Sequence, residues 1–149
     1  MSMIKEFPPK ELGCWQNLSS NDKEEWLQKA CDRFFHDESY VIQSEANRTI
    51  EIDGKLIRDP LDFFCLFGEA VNGPGGYFGK CPHSFDDCLF EKFGLEFPST
   101  IIWENYSATK KILPNFCKDI VDAMRTVHDR QSWYDGDKQA IQLVIKDNG

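Results

Sequence analysis

Apolar residues recur at helical spacing in several stretches of this chain, and short β-rich runs separate them. Trp26, Leu27, Ala30, Cys31, Phe34 and Phe35 form one stripe, which predicts a helix over residues 21–36. Asn21 can cap it, with Glu24 closing a capping box. Residues 40–43 read as a short strand and 45–48 as a linker. Residues 49–52 read as a strand that ends in the turn signal Asp53-Gly54. Asp59-Pro60 opens a helix with Leu61, Phe64, Cys65, Gly68 and Val71 at helical spacing, closing at Asn72-Gly73. A glycine-rich loop follows, then a helix that Pro82 starts and Cys81 or Ser84 caps; Ser84 and Asp87 have capping-box spacing. Phe85, Leu89 and Phe93 give that helix its core face, leaving Asp86, Asp87 and Glu91 for solvent or a basic partner. After Pro98, residues 99–103 predict a buried strand and 108–113 a brief helix that Pro114 stops. Asn115 then caps a longer helix with the stripe Phe116, Cys117, Ile120, Met124 and Val127. Residues 130–139 are polar and read as a loop holding Asp135-Gly136, and 140–145 as a last strand.

Strands alternating with helices predict an α/β fold: a small three-stranded parallel sheet with right-handed crossovers, packed with helices. With 149 residues the chain is one domain, or one domain with an appendage, and it holds no internal repeat.

Charge narrows the choice of partner. The net charge of −8 disfavours direct binding of nucleic acid, which needs clustered Lys and Arg, and favours a basic partner. No apolar run approaches the roughly 20 residues that cross a bilayer, so no membrane partner is expected. Residues 1–15 lack the basic and apolar regions of a secretory signal, which points to the cytoplasm and to six cysteines present as thiols. Cys31, Cys65 and Cys117 fall on apolar helix faces and read as core. Cys81, His83 and Cys88 do not follow paired zinc-ligand spacing, so neither metal nor cofactor is expected. The glycine loop is not a phosphate-binding loop: the pattern would need glycine at Pro74 and a hydroxyl at Cys81.

From about residue 50 to 145 the chain resembles the barstar family of small α/β ribonuclease inhibitors. IDGKLIRDPLDFF is similar to that family's first strand, turn and helix. GGYFGKCPHSFDDCL is similar to its tyrosine, aromatic, glycine and acidic-helix motif, and FPSTIIW to its second strand. The resemblance implies a barstar-like domain over 48–149, with 1–47 as an N-terminal helical extension. It implies no enzyme but an immunity protein that occludes the active site of a cognate toxin, a secreted ribonuclease with a basic active site. By position it implies Tyr77, Gly79 and Asp87 for partner binding, with Asp87 the strongest transfer and His83 and Asp86 on the same face; the loop aromatic Phe78 and Glu91, four residues beyond Asp87, join them from the pattern itself. His83 and Thr126 stand where that family has acidic residues, and Asp86 where it has a tryptophan, so the face points to a different target. Two other readings remain: a regulatory binding module of the same fold, and a small α/β hydrolase using His83 with Asp86 or Asp87. The bland reading of these carboxylates is a solvated helix face.

Overall fold

The chain's architecture was obtained as a computed structural model, which describes residues 3–91, 93–135 and 141–147, with side chains of the last helix described to residue 127. Helix α1 spans Ser20–His36, and its cap is Ser19, whose hydroxyl accepts the Asp22 N–H. The expected cap, Asn21, lies two residues inside the true one. Four capping-type residues stand in a row from Ser19 to Asp22, and the pattern alone does not choose among them. Residues 40–43 are not a strand: the Arg33 guanidinium lies over the Tyr40 ring at 3.8 Å, Val41 is exposed, and the segment's nearest ladder contact is an isolated bridge from Glu45 to Leu95.

Strand β1 (Thr49–Asp53) leads through a short 3-10 turn into α2 (Pro60–Asn72), capped by Asp59 with Pro60 at its start. Then come α3 (Pro82–Glu91), β2 (Ser99–Glu104), α4 (Tyr106–Ile112), α5 (Pro114–Asp135) and β3 (Ile141–Lys146). Helix α5 begins at Pro114 rather than behind Asn115 and runs through the polar stretch read as a loop. Residues 130–135 contain no glycine or proline, and polarity by itself does not end a helix. Gly136 lies outside the described residues.

The strands form one parallel sheet in the order β1-β2-β3, with Ile50, Ile101 and Leu143 in register, and Ile52, Trp103 and Ile145 two residues on. Period-2 alternation decides its sidedness. Ile50, Ile52, Ile101 and Trp103 are buried beneath the helices, while Thr49 and Glu51 face water. The Phe63 ring is the hub of that core. It lies 5.4 Å from Phe85 of α3, 5.4 Å from Trp103 of β2 and 5.5 Å from Phe116 of α5. Phe85 also meets Phe64 and Phe67 of α2 and Phe78 of the loop before α3, so that ring binds α3 to the core and fixes the face the helix turns to solvent.

Residues before 47 join the same core. Trp15, Trp26, Leu27 and Ala30 are buried with it. Two carboxylates buried on the otherwise apolar α2, Asp62 and Glu69, meet partners from this segment, and Asp62 Oδ2 also accepts the Arg58 N–H at 3.1 Å. Lys23 forms an ion pair with Asp62, and Glu69 accepts the Gly13 N–H at 3.0 Å and the Trp15 indole N–H at 3.0 Å. Burial raises the Glu69 pKa above the ordinary 4.5, against the pull of these hydrogen bonds.

Candidate functional site

The glycine loop and α3 are adjacent in space as in sequence, but they meet solvent differently. Gly75, Gly76, Tyr77, Phe78 and Gly79 are all buried. The backbone approach that the glycines permit is to the protein's own helices. A Cβ on Gly76 would lie 2.6 Å from the Gly68 carbonyl oxygen of α2. At Gly79, where φ is +90°, a Cβ would lie 2.7 Å from the Phe85 nitrogen in α3, so both the turn and the contact require glycine. Phe78 inserts between Phe67 and Phe85, with ring centroids 5.0 Å and 5.6 Å away. Tyr77 lies under α1, its ring 6.1 Å from Phe34 and 6.3 Å from Phe35. Its burial, with the thiols of Cys88 and Cys31 nearby, pushes the phenol pKa up. Sequence reasoning placed Tyr77, Phe78 and Gly79 at a partner contact; the structure places them in the support beneath α3.

The start of α3 is a reciprocal cap made by a thiol and a hydroxyl. The Ser84 N–H points to the Cys81 sulfur at 3.5 Å, and the Ser84 hydroxyl accepts the Cys81 N–H at 3.1 Å and the Lys80 N–H at 2.9 Å. The capping pair is thus Cys81 with Ser84, not Ser84 with Asp87. Partial burial raises the Cys81 thiol pKa, but hydrogen bonds from Ser84 and the His83 backbone, with Lys80 nearby, outweigh it, and the net value lies below 9.0.

Helix α3 carries Asp86, Asp87 and Glu91 and no Lys or Arg. Phe85, Cys88 and Leu89 are its buried residues. Asp87 and Glu91 are exposed one turn apart and Asp86 is half-buried beside them. His83 is exposed, with its Nε2 3.7 Å from Asp87 Oδ2. The structure therefore brings His83, Asp86, Asp87 and Glu91 together on one helix. A hydrolytic arrangement has little geometry behind it: the Ser84 hydroxyl donates to the Cys81 carbonyl at 3.2 Å, and His83 turns to Asp87. Thr126 lies exposed on α5, its hydroxyl on the Ala123 carbonyl.

Among the described residues no group of three or more His, Cys, Asp and Glu could hold a metal ion, and no helix is long and apolar enough to cross a membrane. All six cysteines are free. Sequence reasoning missed Asp62 and Glu69, and with them the anchoring of the extension. A signal was present: two carboxylates seven residues apart on an apolar helix share a face, and need buried partners.

A protein-family model described as Barstar (barnase inhibitor) matches residues 47–146. No curated protein matches the chain.

Proposed function

The chain belongs to the barstar family, whose members bind and inhibit a ribonuclease, and on that premise we propose that it is an immunity protein whose α3 blocks the active site of a cognate toxin nuclease. The observation that carries this reading is the row formed by Asp87 and Glu91, with Asp86 beside them. These carboxylates stand on a helix whose opposite face is locked into the core. A ribonuclease active site gathers cations to bind phosphate. Carboxylates held on a rigid helix offer those cations the same charge without a bond to cleave. The attraction steers encounter, and pairing within the desolvated interface holds the complex.

The buried loop supports this mechanism without touching the partner. Gly79 brings the chain against Phe85, and Phe78 fills the space below, so the helix needs no rearrangement to dock. Rigid presentation keeps down the entropy lost on association. The protein performs no chemistry; its action is steric and electrostatic, and its place of action is the cytoplasm of the cell that makes the toxin.

The test uses the chain as bait in its cell of origin. The protein retained by wild type and lost by Asp87→Ala is identified by mass, purified and assayed for RNA cleavage. A nuclease whose cleavage stops at one equivalent of inhibitor is the expected result. A retained protein that cleaves no RNA, or one that continues to do so when saturated, contradicts the proposal.

A further inference from the structure

The end of α1 lies over the loop that leads into α3. Phe34 packs 4.5 Å from Phe93, which stands two residues beyond Glu91, and 6.1 Å from Tyr77. Phe35 packs edge-on to Phe34 at 4.9 Å and 6.3 Å from Tyr77, yet 59% of its surface remains exposed. Lys80, just before α3, reaches back to Gln28 of α1, its Nζ 2.8 Å from the amide oxygen. An exposed ring alone says little, since single apolar residues are common on surfaces. The position of Phe35 says more: a continuous run of rings, Phe35 to Phe34 to Phe93, connects it to the end of the acidic helix.

Resting on the reading above, we infer that Phe35 is an aromatic anchor of the partner-binding surface, supplied by the N-terminal extension and engaging the same basic nuclease as α3. Tyr77 and Phe78, the aromatics of the loop, are buried and unavailable for that contact. Phe35 covers Tyr77 and presents a ring to solvent in its place. Exposed aromatic rings recur as the anchors of interface hot spots. Charge selects the occupant: α3 carries carboxylates and no Lys or Arg, so a basic surface complements it, whereas a second copy would bring another net charge of −8. The extension therefore serves in two ways, as part of the core and as a determinant of which nuclease is bound.

The full chain carrying the photo-crosslinker benzoylphenylalanine at position 35, and separately at position 83, exposed on α3 one turn before Asp87, tests this in the cell of origin. Irradiation is expected to yield an adduct of the same mass at both positions, with peptides that identify one ribonuclease. Phe35→Ala should then weaken binding of that purified ribonuclease by about tenfold or more, with the native helix content retained. A nuclease adduct at 83 but not at 35, or an unchanged affinity in Phe35→Ala, overturns this inference and leaves the role of α3 intact. An adduct at 35 formed with a second copy of the chain also overturns it. No nuclease at either position overturns both.

Discussion

The Trp15 indole N–H donates to Glu69 Oε1 at 3.0 Å, joining residues 54 apart in sequence across a buried contact. Trp15 belongs to the segment before the family match and Glu69 to the first helix within it. The contact makes the pH dependence of stability specific. Burial raises the folded-state pKa of Glu69 above the unfolded value near 4.5. Between those two values the folded form binds more protons than the unfolded one, so stability falls as pH rises. The difference in thermal midpoint between wild type and Glu69→Gln should therefore shift against wild type as pH rises from about 4 through the raised pKa, then level off. A parallel pair of midpoint curves would remove Glu69 from the account.

The ion pair between Lys23 and Asp62 should be the more costly one to break from one side. Both side chains are nearly buried, and truncating Lys23 leaves the Asp62 carboxylate without its counter-charge. Lys23→Ala is expected to destabilise by about 3–5 kcal/mol in urea unfolding. Lys23→Met combined with Asp62→Leu should recover most of that loss, because a pair of apolar groups has no charge to desolvate. A loss below about 1 kcal/mol in the single variant would show that water reaches the pair, as it does in surface ion pairs.

The thiols should separate by position. Cys14 and Cys81 are exposed, whereas Cys65, Cys88 and Cys117 are buried, with burial pushing the Cys117 pKa up to about 11. Iodoacetamide should label Cys14 and Cys81 first and the buried three only on unfolding. For Cys81 the midpoint of rate against pH should lie below 9.0 and move up in Ser84→Ala, which removes the hydroxyl that stabilises the thiolate. An unmoved midpoint would contradict the shared cap.

Much of this fold is legible in the chain because its local signals agree. Asp59-Pro60, Asn72-Gly73 and the stripe from Phe116 to Val127 each state a helix and its buried side, and the strands of β2 and β3 lie within a residue of their expected ends. What sequence does not state is what one element does to another. Tyr77 on a glycine loop has the composition of a contact. Only the path of α1, which sets Phe34 and Phe35 over it, turns it into core. Likewise Ser84 has two partners at capping distance, Cys81 behind and Asp87 ahead, and the turn before Pro82 decides for Cys81. Asp87 is then left to solvent, which is the condition for the role proposed for it.

The measurement that bears most directly on that role is the affinity of the Asp87→Ala, Glu91→Ala double variant for the nuclease that wild type captures, by titration calorimetry with the thermal midpoint recorded alongside. Asp87 and Glu91 are exposed, so folding should hold, with a change of about 1 kcal/mol or less. Binding should weaken by about 2–5 kcal/mol, roughly 30-fold or more, as cations in the nuclease lose their counter-charges. That range is the general one for truncating one partner of a buried charge pair, and close charge pairs of barnase–barstar span about 1.5–7 kcal/mol. Wild-type association should also slow as salt rises, and the double variant's much less. A double variant that binds the nuclease as tightly as wild type, with the same salt dependence, would place the inhibitory surface somewhere other than α3.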